Sequence, residues 1–328
     1  NTTSKTLSCS IGKKAVTVKA ESSSKTYDGS ALTKTSGCES STGLITNHAA
    51  TCTNTGSITN AGSTTNTLSG VVIKNGTADV TSNYNITKQN GTLTVNKKTV
   101  VVTWTVGTYT YNGSDQGPTP SAASGVTGET INLTRTTGKN AGNYTSTATC
   151  SKVTGGNATC NNYTLSSNTK AFTINKATPT LTLSATSGSV NAGSSITFTE
   201  KANLAGNFGN VSGTTGVATV SPASYTSVAA NTAKTVTVTG VSNGNSTITV
   251  TFTPTDTTNY NTKTATYTVT GYKVASLGSC NTLTYNGTSQ TLAGNGTGVS
   301  YTNNSGTNAT SYTVIATATS GYRFSDNT

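Results

Sequence analysis

The chain has 328 residues, of which 9% are charged, 6% aromatic and 31% hydrophobic, with no Met and a net charge of +11. No run approaches the ~18 consecutive apolar residues of a membrane-spanning helix. One His and nine carboxylates leave little material for acid–base catalysis, so an enzyme is disfavoured. The missing initiator Met and leader pattern suit a processed chain or a piece of a longer one.

A chain rich in Thr, Ser, Asn and Gly reads at first as disorder, but the order of the residues opposes that. Apolar residues alternate with Thr at 15–18, 92–95, 100–106 and 171–174, then at 180–183, 235–241, 246–252, 264–269 and 312–318. One face of each run is apolar and the other β-branched and polar, which describes half-buried strands. No window shows the three-and-four spacing of an amphipathic helix, and Gly, Asn and Ser clusters separate the runs as turns. The expected class is all-β.

A junction pattern recurs four times: Ser10-Ile11-Gly12-Lys13, Thr94-Val95-Asn96-Lys97, Thr173-Ile174-Asn175-Lys176 and Thr268-Val269-Thr270-Gly271-Tyr272-Lys273. A strand ends on an apolar residue, a turn residue follows, and Lys opens the next strand. The interval, roughly 80 to 95 residues, is the size of one immunoglobulin-like sandwich, and self-similarity at such a period marks an array. The expected architecture is therefore a tandem array of immunoglobulin-like β-sandwich domains, at 13–97, 98–176, 177–270 and 271–328, with 1–12 as a detached terminal strand. Three units carry a Tyr-x-Gly: Tyr27-Asp28-Gly29, Tyr111-Asn112-Gly113 and Tyr285-Asn286-Gly287. A later Tyr segment follows in Ala141-Gly142-Asn143-Tyr144 and Ala309-Thr310-Ser311-Tyr312.

These short motifs resemble the MBG domains of large bacterial surface proteins, and unit 177–270, which lacks Tyr-x-Gly, resembles a general bacterial Ig-like domain. The resemblance spans most of the chain. It implies surface display, stalk building and sometimes adhesion, and it implies no catalytic residues.

The ends match one another. In the third unit Asp256 precedes Lys263 by seven residues and Lys263 precedes Val269 by six; across a join of Thr328 to Asn1, Asp326 to Lys5 and Lys5 to Ile11 repeat both intervals. The last unit is thus expected to be completed by residues 1–12 of a following repeat. Either one long tandem polypeptide or separate subunits that donate a strand satisfies this, and both give an open head-to-tail filament.

Six cysteines stand at 9, 38, 52, 150, 160 and 280. Cys38 with Cys52 and Cys150 with Cys160 form the local pairs expected to be disulfides, placing the chain in an extracellular or cell-surface, oxidising environment. Cys9 and Cys280 share a unit only in the joined arrangement, so an inter-repeat disulfide is expected there. Neither a metal site nor a cofactor site is expected: Cys-x-x-Cys, acidic calcium loops and glycine-rich phosphate loops are absent from the sequence. Lys and Arg are scattered, which disfavours nucleic acid. His48 reads as a surface-loop residue between Cys38 and Cys52. Trp104 shares a face with Val100, Val102 and Val106 and reads as core. Glu129 and Glu200 lie beside strand-like runs, where a Lys–Asn isopeptide bond would need a carboxyl helper. The function expected is a structural repeat of an extracellular fibre or cell-surface stalk whose main partner is itself, head to tail. The alternative is a surface adhesin binding a glycan or cell-surface protein.

Overall fold

A computed structural model describes residues 2–156 and 159–326. Among these residues there is no α-helix, only strands, turns and two short 3-10 turns at Thr81–Asn83 and Cys160–Asn162; the chain is all-β. Two compact units are formed. One takes the residues up to Tyr109 with Asp115–Gly138 and Asn143–Thr173; the other takes Thr110–Ser114, Lys139–Gly142 and the residues from Ile174 on.

In the first unit, Lys14–Ala20 sits between Cys38–Thr42 and Tyr84–Gln89, while Ser23–Thr26, Gly91–Asn96, Gly62–Asn75 and His48–Thr55 follow one another in a second sheet. Alternation explains the burial. Val16, Val18 and Ala20 point inward with Leu68, Ile73 and Tyr84, and the intervening Thr17 and Lys19 do not. The first strand runs parallel to the one that begins at Tyr84, with Lys14 opposite Tyr84. The same register returns further on, where Lys98 lies opposite Tyr163. A cluster of Tyr27, Val95, Val100, Ile131, Val153 and Tyr163 joins residues of the first and second predicted segments.

The second unit holds the best-filled core. Leu181–Leu183, Ser195–Ala202, Lys234–Gly240 and Ala218–Ser221 form one sheet; Ser187–Asn191, Lys263–Val274, Gly244–Pro254, Gly206–Ser212 and Ser224–Val228 form the other. Phe198 and Val236 from one sheet pack with Phe208, Phe252 and Tyr267 from the other, which makes a sandwich. Val269 was expected to end a strand, yet Lys263–Val274 runs on through the 270/271 boundary. Its continuation is held because Lys273 and Val274 pair in parallel with Tyr322 and Arg323.

Residues 276–326 form two small antiparallel strand pairs, Gln290–Thr291 with Ser305–Gly306 and Val299–Thr302 with Ile315–Ala318, besides Tyr322–Arg323 and the isolated bridges of Ser276 with Thr297 and Cys280 with Ala293. The run at 312–318 keeps its alternation but buries little: Tyr312 and Ile315 are exposed. Of the terminal strand expected at 1–12, the described residues 2–12 are unpaired and exposed throughout in the single chain. The expected join of Thr328 to Asn1 lies outside the described residues.

Candidate functional site

The segment 276–326 presents apolar side chains that its own strands leave uncovered. Leu277 and Tyr285 are each 63% exposed and Ile315 is 52% exposed. Cys280, Leu283, Tyr285, Leu292, Tyr312 and Val314 line an open cavity of ≈ 300 Å³. Asn286 accepts the Thr288 N–H at 3.0 Å, an Asx turn that shapes the corner following Tyr285. Gly287 has φ +76°, a conformation that suits glycine there.

A second exposed apolar element lies at the other end of the sequence. Leu7 and Ile11 are 87% and 101% exposed and flank the exposed thiol of Cys9. With Leu7, Cys9 and Ile11 at alternate positions, residues 2–12 carry the period-two sequence pattern of a strand without sheet partners in their own chain.

The cysteines divide into bonded and unbonded. Cys38 and Cys52 are joined with S–S 2.03 Å and Cα–Cα 5.3 Å; Cys150 and Cys160 with S–S 1.97 Å and Cα–Cα 5.8 Å. Two disulfides place the chain outside the cytosol, in extracellular or cell-surface, oxidising surroundings. Cys9 and Cys280 are free thiols, both exposed.

The titratable groups singled out from the sequence serve packing. Glu129 is buried and accepts from two phenols, Tyr27 Oη to Oε1 at 2.6 Å and Tyr163 Oη to Oε2 at 2.6 Å. Burial, reinforced by that carboxylate, pushes the Tyr27 phenol up to about 12 and raises Tyr163 as well. Both tyrosines therefore stay neutral donors. The pairing was not legible in the sequence because Tyr27 and Glu129 are 102 residues apart. Glu200 is fully buried and accepts from Asn210 Nδ2 at 3.3 Å.

Two expectations need correction. His48 is not a loop residue: it opens the strand His48–Thr55, is half-buried, and its Nδ1 lies 2.6 Å from Tyr84 Oη. Trp104 is only partly buried, and its indole N–H donates to Ser167 O at 3.0 Å. Val100 and Val102 are buried at 4% and 3%, whereas Val106 is 50% exposed; Thr103–Thr105 is a three-residue strand paired only with Thr119–Ser121, so the inward face gives out along the run. Among the described residues no three His, Cys, Asp or Glu side chains gather where they could hold a metal ion. No helix among them is long and apolar enough to cross a membrane.

No family model matches the sequence, and none of the curated proteins does. Among solved structures, domains 4 and 5 of the S-layer protein SbsC align at 22% identity over 50% of this chain and 93% of that one, with a TM-score of 0.23. Domains 1–6 of SbsC align at 17% identity over 71% of this chain and 33% of that one, at 0.25. A chaperone–tip adhesin complex of CFA/I fimbriae aligns at 16% identity over 31% of this chain and 62% of that one, at 0.23.

Proposed function

We propose that the chain is a structural repeat of an extracellular fibre or cell-surface stalk, extended head to tail through the completion of segment 276–326 by residues 1–12 of the following copy. The observation that carries this reading is the complementarity of two exposed elements. One is an apolar face on a segment without its own closed core; the other is an unpaired stretch with Leu7, Cys9 and Ile11 in strand phase. Strand addition satisfies both, since the backbone of the incoming stretch pairs with a sheet edge and its alternate side chains fill the face. The chain chemistry suits a load-bearing module: few titratable groups, internal disulfides and a Thr-rich exterior. The MBG-type, immunoglobulin-like identity of the units is part of this proposal and rests on the Tyr-x-Gly corners and the junction repeats.

The same arrangement brings Cys9 beside Cys280, and we propose that they form an inter-repeat disulfide. The two thiols give up two protons and two electrons to a disulfide donor, which leaves as two thiols. The test is electron microscopy and mass measurement of the 328-residue chain under non-reducing and reducing conditions. Filaments or ladders of head-to-tail oligomers are expected, with a Cys9–Cys280 cross-linked peptide in the digest. Isolated monomers would overturn the reading. With native material, boiling in SDS and reductant separates its two forms, because only a covalent tandem keeps its high mass.

A second reading, an adhesin, draws on the aromatic pair Tyr285 and Tyr312 at the cavity, which suits stacking on a sugar ring. Glycan binding by the unassembled chain, lost in Tyr312→Ala, would favour it over a purely structural role.

A further inference from the structure

Two interior joints of the chain follow one plan. In the first, the Tyr27 N–H donates to Asn96 O at 2.9 Å and the Tyr27 ring stands edge-on to Tyr163, centroids 5.6 Å apart at 80°. Beside it, Asn162 Oδ1 accepts the Ala61 N–H at 2.8 Å and Asn162 Nδ2 donates to Asn60 Oδ1 at 3.0 Å. In the second, the Tyr111 N–H donates to Asn175 O at 2.9 Å and the Tyr111 ring stands edge-on to Tyr260, 5.3 Å apart at 83°. There Asn259 Oδ1 accepts the Ala141 N–H at 2.8 Å, with Asn259 Nδ2 3.5 Å from Asn140 Oδ1. A joint thus consists of a Tyr-x-Gly tyrosine and an Asn-Ala turn that together receive an Asn-Tyr pair.

The Asn83-Tyr84 pair, placed like these two at or just before the start of a late strand, has no such receiver around it. Tyr84 lies opposite Lys14 as Tyr163 lies opposite Lys98, and each follows a short 3-10 turn. His48 contacts the Tyr84 hydroxyl as Glu129 contacts that of Tyr163. Yet Asn162 and Asn259 are buried, at 0% and 6% exposure, whereas Asn83 is exposed.

A further receiver stands in segment 276–326. Tyr285-Asn286-Gly287 makes the same Asx turn as Tyr111-Asn112-Gly113, with Ser114 N–H to Asn112 Oδ1 at 2.9 Å and Thr288 N–H to Asn286 Oδ1 at 3.0 Å. Five residues after each tyrosine, Gln116 bridges Gly138 and Gln290 pairs with Gly306. Gly138 lies under the ring of Tyr144 and Gly306 under that of Tyr312, each too close to carry a Cβ. That register puts Asn308-Ala309 where Asn140-Ala141 stands, with Thr310 replacing Gly142. Asn308, Ala309 and Tyr285 are all exposed.

We propose that the Asn83-Tyr84 turn docks onto Tyr285 and the Asn308-Ala309 turn of a second copy of this chain. Asn83 Oδ1 accepts the Ala309 N–H, Asn83 Nδ2 donates to Asn308 Oδ1, and the Tyr285 ring lies against the half-buried His48 beside the buried Tyr84. The inference rests on the head-to-tail reading and deepens it. Strand completion by residues 1–12 puts Gly12 where Asn96 and Asn175 stand, so its carbonyl receives the Tyr285 N–H. The side-chain joint then fixes the angle between successive copies, which a donated strand alone leaves free.

The test is sedimentation analysis of self-association of the whole chain, with N83A and A309P made singly and together. Both sites are exposed, and circular dichroism with intact internal disulfides verifies the fold. Each single change is expected to weaken association roughly tenfold, the effect of removing one or two interface hydrogen bonds. The double variant should fall no further than the weaker single, because both remove the same contact. Silent single variants, or losses that multiply in the double, would overturn the joint. If those variants are silent while Ile11→Asp abolishes association, strand completion stands and only the joint falls. A parent chain that stays monomeric at its highest soluble concentration overturns both.

Discussion

Replacing Glu200 by Gln should make the stability of the second unit nearly independent of pH. Glu200 is directed inward by the same alternation that buries Phe198 and Ala202, and its side chain is fully buried. Oε1 accepts from Asn210 at 3.3 Å, while Oε2 has no hydrogen-bond partner among the described residues. Lys234 lies opposite on the neighbouring strand, but its ammonium stands over the Tyr225 ring, 5.4 Å from the centroid. Burial therefore prevails over the Asn210 bond and raises the carboxyl from 4.5 to about 7. The unfolded chain releases this proton near 4.5 and the folded chain keeps it to about 7. Between those values the folded state binds more protons, so stability falls as pH rises. At about 1.4 kcal/mol per pH unit the loss reaches about 3 kcal/mol above neutrality and vanishes below about pH 4. Glu200→Gln keeps the shape and the acceptor without the charge. Calorimetric unfolding across about pH 4 to 8, with disulfides intact, should show parent and variant equal at the acid end. At the alkaline end the variant should be the more stable. Parallel curves throughout would refute the argument that an isolated buried carboxyl sets this pH dependence.

Glu129→Ala leaves two buried phenols without their acceptor and should destabilise the first unit by roughly 2–4 kcal/mol; spectrophotometric titration should show Tyr27 ionising at lower pH than in the parent. Gly29 and Gly113 both have positive φ, at +83° and +80°, but a Cβ on Gly29 would meet Val126 Cγ1 at 2.8 Å while one on Gly113 meets nothing within 4 Å. Gly113→Ala should therefore cost about 1 kcal/mol in thermal unfolding and Gly29→Ala clearly more; equal costs would show that the Val126 contact yields freely. Converting Cys38 and Cys52 to Ala opens a loop spanning 14 residues and should lower stability by about 3 kcal/mol in denaturant titrations.

The strands were legible because burial in a sheet has the same period as the sequence signal. Val236 and Val238, or Ile248, Val250 and Phe252, are fully buried at every second position, and the Thr between them face outward. Where the alternation misled, sheet pairing was the reason. The 312–318 run has little packed over it, so Val314, Ala316 and Ala318 on its apolar phase are only half-buried and Tyr312 stays exposed. The 100–106 run loses its cover after Val102, which leaves Trp104 half-covered at the end of a three-residue strand. His48 carried no local signal, since its place at a strand start is set by pairing with Gly62–Asn75.

By itself, the sequence determined the all-β class, the inward face of each long strand and the turns between them, because each depends on residues within a few positions of one another. It also presented the Tyr-x-Gly corners, while the Asn-Ala turns and Asn-Tyr pairs carried no signal of their own. Only the tertiary structure decided that these motifs meet, Tyr27 with Tyr163 and Asn259 with Ala141, and that Glu129 is shared by two tyrosines. Such contacts join residues about a hundred positions apart, and no local period encodes which distant side chain will fill a given gap.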